Sequence, residues 1–174
     1  MTLDSFFEER LEVGRSLADS GELSLLNTFN TDLPRIFVVA AASHFEAAIS
    51  DHLLDFFAEA SDNNETVAAF MSRRALFRNY HSLFDWSATS ANKFFSTFGA
   101  PCLEHYKRLA RDHDWLLPSA LAFLQLGDAR NLLVHGNFAL HSPTLTADDV
   151  RVRYAEAARF VDAIPHILRL QELT

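Results

Sequence analysis

Three polar residues near the end of a predicted helix have the types and spacing to act on a phosphate ester. Arg130 and Asn131 are adjacent, and His135 follows four residues after Asn131. On a continuing helix Asn131 and His135 share a face, because residues four apart are neighbours there. Arginine binds phosphate oxygens with a planar, permanently charged fork, and histidine exchanges protons near neutral pH. Asn131 is expected to orient His135 or to hydrogen-bond the phosphate.

Cleavage of RNA by attack of its own 2′-hydroxyl needs the chemistry that these side chains offer. One group takes the 2′ proton, positive charge stabilises the phosphorane-like transition state, and the leaving 5′ oxygen needs a proton. A purely structural role remains open at this point. In that interpretation Arg130 pairs with a carboxylate such as Asp128 or Glu46, and His135 caps the C-terminal end of its helix.

The helix that carries these residues is predicted over about Pro118 to His135. Leucines recur at helical spacing along it, and Pro118 suits a first turn. Gly136 is expected to end the helix in a left-handed conformation. Asp32 is expected to cap a long apolar helix, and Thr146 the last helix. The same periodicity predicts helices over about 3–18, 34–60, 65–83, 102–111 and 147–170, with a short one over 87–97. No stretch is typical of a strand, so we predict an all-α bundle.

Composition limits the class of protein. The chain has 174 residues, net charge −8, sixteen Phe, and only five Gly and five Pro, which predicts a single domain over 1–174 with an aromatic core. The acidic balance argues against a broad polyphosphate-binding surface but allows a small basic groove. A lone cysteine, Cys102, fits a reducing cytosol, where we expect a buried, inert thiol. With no signal-type segment or membrane-spanning run, the sequence predicts a soluble, cytoplasmic protein with no membrane partner.

Several segments together resemble one family. Arg130 to His135 resembles the Arg-x4-His motif of the HEPN superfamily, with a polar residue directly after the arginine. The stretch Ala41-Ala42-Ser43-His44-Phe45-Glu46 is similar to an apolar helix with an aromatic–Glu pair found in several HEPN branches. The segments Tyr80–Trp86, Ala91–Phe95 and Phe98-Gly99 are similar to the middle region of the RiboL-PSP branch. The resemblance covers roughly residues 33 to 140.

The resemblance implies a fold and an activity. The fold would be an antiparallel, up-and-down HEPN-like bundle with five to seven helices. The activity would be that of a metal-independent endoribonuclease, often a toxin or antiviral effector, with His135 as base or acid, Arg130 as phosphate clamp and Asn131 as positioning residue. Its partners would be single-stranded or loop RNA, a second copy that brings two motifs to a shared groove, and an antitoxin or sensor protein. The alternative is a catalytically inactive HEPN-like module for binding a protein partner or a nucleotide, or for dimerisation.

Further residues are candidates for binding RNA. Arg73, Arg74 and Arg78 form the most basic patch of the chain, although a solvated helix face is the simpler interpretation. Glu46 is expected to line the groove, and Asn137 directly follows Gly136 at the end of the motif helix. The aromatic residues between Tyr80 and Phe98 could stack on bases, but we favour a core role for them. No cofactor is expected. No metal site is predicted either, because a cluster of His135 and His141 with Asp148 or Asp149 would depend on the unpredictable conformation of the loop between them.

Overall fold

A computed structural model describes residues 2–76, 79–136 and 144–173, without the side chain of Ala75. Within these ranges the chain forms eight α-helices and one π-helical segment, and no β-strand. The helices are α1 (Leu3–Asp19), α2 (Leu23–Ala60), α3 (Glu65–Met71), the π-helical segment (Ser72–Leu76), α4 (Tyr80–Leu83), α5 (Asn92–Ser96), α6 (Ala100–Asp112), α7 (Leu116–His135) and α8 (Ala147–Leu168).

The predicted all-α fold is confirmed. The described residues contain eight α-helices where five to seven were expected, because the stretch before α6 includes two very short ones, α4 and α5. Two residues after the end of α1, Gly21 has a φ of +73°, a conformation that glycine adopts without steric cost. No described helix has the length and apolar character needed to cross a membrane.

The start of the long helix α2 differs from the prediction. The helix begins at Leu23, and Pro34 lies inside it. Asp32 is therefore not an N-cap, and its carboxylate accepts a hydrogen bond from Arg35 at 2.7 Å. Proline inside a helix removes one backbone hydrogen bond. Here Leu33 and Pro34 are both buried, and the removal of these apolar side chains from water offsets that loss.

The predicted helix over 65–83 is also interrupted. Asn64 caps α3, because its side chain accepts from the backbone N–H groups of Thr66 and Val67. After Met71 the backbone changes to π-helical geometry, in which hydrogen bonds span five residues instead of four. The side-chain amide of Asn79 donates to the Arg74 carbonyl at 2.8 Å. In a continuing helix, a backbone N–H would donate to that carbonyl instead.

The chain divides into two compact units. The first comprises Met1–His44 and Leu126–Ala155. Its core includes the ring of Phe7, whose centroid lies 4.4 Å from that of Phe37 and 5.4 Å from that of Tyr154. An ion pair between Arg151 and Glu8 joins α8 to α1 on the surface of this unit.

The second unit comprises Phe45–Gln125 and Glu156–Thr174 and has an aromatic core. Phe84 stacks on Phe94 with centroids 4.6 Å apart, and Phe95 stacks on Tyr106 at 4.4 Å. All four rings are buried, so the predicted core role of the aromatic residues after Tyr80 is confirmed for the three phenylalanines. Cys102 is 4% exposed. Burial raises the pKa of its thiol to about 11, as expected for an inert cysteine.

Candidate active site

The three residues of the predicted motif lie on the last turns of α7. The helix is continuous from Leu116 to His135, so Asn131 and His135 share a face as predicted. Leu133, between them in sequence, is fully buried. Its burial fixes the rotation of the helix end and leaves Arg130 and Asn131 partly exposed and His135 exposed.

The guanidinium group of Arg130 makes a local contact within the motif. Its Nη1 donates to the side-chain oxygen of Asn131 across 3.3 Å. In the described part of this unit, no carboxylate lies within ion-pair distance of Arg130, so the alternative pairing with Asp128 is not observed. The Asn131 oxygen accepts from Arg130 and not from His135. Its amide N–H groups therefore remain as donors, and the positive charge of Arg130 is not neutralised by a neighbouring acid in the unit.

The end of α7 corrects one detail of the prediction. The backbone N–H of Gly136 donates to the Leu132 carbonyl at 2.9 Å, but the φ angle of Gly136 is not left-handed. A Cβ added to Gly136 would lie only 2.5 Å from the carbonyl oxygen of Leu132. Glycine is needed there because the backbone approaches closely, and this close approach directly follows His135.

The other predicted site residues are distributed over the chain. Glu46, Arg73 and Arg74 belong to the second unit, whereas the three motif residues belong to the first. The Glu46 carboxylate lies 3.8 Å from Nε2 of His81. Arg73 and Arg74 are exposed in the π-helical segment, and neither has an ion-pair partner among the described residues. Arg78 and Asn137 lie outside the residues that the structure describes.

Metal ligands are not grouped in the part of the chain that the structure covers. No three His, Cys, Asp or Glu side chains come close enough there to hold one ion. The cluster considered from the sequence includes His141, which lies outside the described residues.

One residue of interest was not singled out from the sequence. Phe70 fits the apolar stripe of a predicted helix, yet its side chain is 63% exposed. It lies three and four residues before Arg73 and Arg74, which is the spacing of neighbours on a helix face. That spacing to two arginines could have identified Phe70 as a candidate binding residue, but its place in the apolar stripe favoured a buried side chain.

One comparison with known proteins gives a match, and it covers most of the chain. A family model described as RiboL-PSP-HEPN matches residues 12–169. No curated protein and no solved structure matches the chain. The family match confirms the resemblance predicted from the sequence, and it spans every candidate residue named above.

Proposed function

Because the chain belongs to the RiboL-PSP-HEPN family, we propose that it is a metal-independent endoribonuclease that cleaves RNA by attack of the RNA's own 2′-hydroxyl. The observation that carries the proposal is the end of α7. There Arg130, which has no carboxylate partner in the described part of its unit, donates a hydrogen bond to Asn131. His135 is exposed and lies five residues after Arg130, which is about 7.5 Å along the helix axis at roughly 1.5 Å per residue.

Each residue has a role in the proposed reaction. His135 takes the proton of the 2′-hydroxyl, and the 2′ oxygen then attacks the adjacent phosphorus. Arg130 binds the non-bridging oxygens, where negative charge builds up in the transition state. Asn131 holds the guanidinium group through its oxygen and can donate to the phosphate through its amide. The bond to the 5′ oxygen breaks and that oxygen is protonated, which leaves a 2′,3′-cyclic phosphate and a 5′-hydroxyl.

A homodimer completes the proposal. Two copies would bring two motifs to one groove, so that a second histidine could protonate the leaving oxygen. The same arrangement would double the local positive charge without making an acidic protein basic. The biological role would be that of a toxin or antiviral defence effector, with an antitoxin or sensor protein as its regulator.

Cleavage of a mixed-sequence RNA in the presence of EDTA tests the proposal. We expect the wild type to cleave and to leave 2′,3′-cyclic ends. His135→Ala should lower the rate by roughly 10²–10⁴-fold, the range for a lost general acid or base. Arg130→Ala should lower it by about 10²–10³-fold, the range for a lost electrostatic contact to the transition state.

Matched controls come from other helix ends. His166 lies in the last turn of α8 and Arg111 in the last turn of α6, both exposed. His166→Ala and Arg111→Ala should cleave like the wild type. Cleavage that survives in both motif variants would contradict the proposal, provided that circular dichroism shows all four variants to be folded.

The second candidate function is an inactive HEPN-like module that binds a protein partner or a nucleotide. The net charge of −8 favours it, because acidic proteins do not hold long RNA through general charge attraction. Expression of the wild type and of His135→Ala in the same host separates the two functions. Slow growth with the wild type alone supports the nuclease, and an absence of cleavage together with equal growth supports the module.

A further inference from the structure

An open pocket lies on the second unit, beside α3 and the π-helical segment. Its volume is about 550 Å³, and it is lined by Glu65, Thr66, Ala69, Phe70, Arg73 and Arg74. We call it the Phe70 pocket. Its volume lies within the usual range for small-ligand sites, about 300–1,000 Å³.

The aromatic side of the pocket faces solvent. Phe70 is 63% exposed, and no other described ring packs against it. Most of the large side chains that are fully buried in this protein are also phenylalanines. Because Phe70 is exposed, it does not contribute the stabilisation that a buried Phe gives to the core. Its flat apolar ring is instead available to a ligand.

Arg73 and Arg74 form the cationic side of the pocket. Six other arginines of the described chain form ion pairs with carboxylates, namely Arg10, Arg15, Arg35, Arg108, Arg151 and Arg169. Arg73 and Arg74 have no such partner among the described residues and are both exposed. On a protein of net charge −8, two adjacent unpaired guanidinium groups favour an anionic ligand, since each can bind phosphate oxygens bidentately.

We propose that the Phe70 pocket binds one unpaired nucleotide of single-stranded RNA, with the base stacked on Phe70 and the adjoining phosphates held by Arg73 and Arg74. The proposal rests on the nuclease function above and adds an RNA contact outside the motif of α7. An unpaired strand is specified because a base in a duplex has no free face for stacking. The Glu65 carboxylate suits the exocyclic amino group of a base or a 2′-hydroxyl, both of which are donors.

Binding can be measured without cleavage in the full-length His135→Ala protein. The probe is a fluorescein-labelled single-stranded RNA of mixed sequence, and its anisotropy is followed during titration. Phe70→Leu keeps the apolar bulk and removes the aromatic face, so affinity should fall about 5- to 150-fold, the equivalent of one lost stacked base. Phe70→Trp keeps the stacking surface and should bind like the parent.

Charge is tested in the same background. The double variant R73Q/R74Q should weaken binding and reduce the slope of log affinity against log salt by about 1.4, at roughly 0.7 per lost phosphate contact. Val67→Ala, on α3 outside the pocket lining, and Arg111→Gln, an exposed arginine elsewhere, are the controls and should leave affinity unchanged.

The outcomes separate this inference from the nuclease proposal. Three results would each overturn the pocket assignment. They are an unchanged affinity in Phe70→Leu, equal binding of a matched RNA duplex, and no binding of RNA by the His135→Ala parent. A loss on R73Q/R74Q no larger than that on Arg111→Gln would also overturn it. Failure of the nuclease proposal is read separately, from RNA cleavage that does not depend on His135 and Arg130.

Discussion

Gly136 directly follows His135, and its lack of a Cβ allows the backbone there to lie close to the Leu132 carbonyl. A Cβ at Gly136 would meet the Leu132 carbonyl oxygen at 2.5 Å, and backbone atoms cannot move aside as a flexible side chain can. We expect Gly136→Ala to lower the free energy of unfolding by about 1–2 kcal/mol and to lower RNA cleavage, because the helix end must shift. Urea denaturation and the EDTA cleavage assay measure the two effects.

Gly14 provides the matched control for this substitution. It lies within α1, and a Cβ there would first meet the side chain of Phe29 at 3.4 Å. Alanine is a better helix residue than glycine by up to about 1 kcal/mol. Gly14→Ala should therefore leave stability unchanged or raise it, with normal cleavage. If the two variants behaved alike, the close approach at Gly136 would not be the constraint.

The start of α8 is held by three hydrogen bonds between Thr146 and Asp149. The Thr146 backbone N–H and hydroxyl both donate to the Asp149 carboxylate, and the Asp149 N–H donates to the Thr146 hydroxyl oxygen. These bonds, the backbone one first, lower the pKa of Asp149. Thr146→Ala should lower the free energy of unfolding by about 1 kcal/mol, whereas Thr144→Ala, exposed and outside the pair, should not change it.

The stability difference between wild type and Thr146→Ala should depend on pH in a definite direction. The folded state binds the Asp149 proton more weakly than the unfolded state, whose aspartate pKa is about 3.9. The stabilisation is thus fully present above that pH and is lost as pH falls through the lower pKa of the folded state. Urea titrations of both proteins at neutral and acidic pH test this. A difference that grows on acidification would contradict the assigned bonds.

Much of the helical pattern could be predicted, because apolar residues at a period of 3.6 identify buried faces. Where the prediction differed, the cause was a tertiary contact or a subtle change of backbone. Pro34 indicated a helix start, but burial of Leu33 and Pro34 keeps α2 continuous through it. The π-helical segment differs from an α-helix by one residue in hydrogen-bond spacing, and no residue type marks that change.

For the candidate site, the sequence predicted only which residue types are present and how far apart they lie along the chain. Arg130, Asn131 and His135 follow from the sequence, and their helix is where it was expected. The bond between Arg130 and Asn131, and the close contact at Gly136, depend on side-chain and backbone geometry that spacing does not determine. Phe70 was missed because its apolar character is the same in a core and on an exposed surface, and only burial distinguishes the two.

The acidic net charge of the chain makes self-association important for the proposed activity. One motif on a body of net charge −8 offers one arginine to the phosphate, and a dimer offers two. We expect a solution mass near twice the chain mass of 19.6 kDa, measured by light scattering after gel filtration. Cleavage per mole of chain should fall on dilution below the dissociation constant of the dimer. A monomer with full, dilution-independent activity would contradict the shared groove.

The burial of Cys102 has a practical consequence for experiments on this protein. A maleimide needs an accessible thiolate, and the one native thiol is neither accessible nor ionised near neutral pH. A cysteine introduced at an exposed position such as Val152, which is 63% exposed, would then be the one reactive thiol. A fluorophore could be attached there without first removing the native residue, so that labelled and unlabelled proteins share the same core.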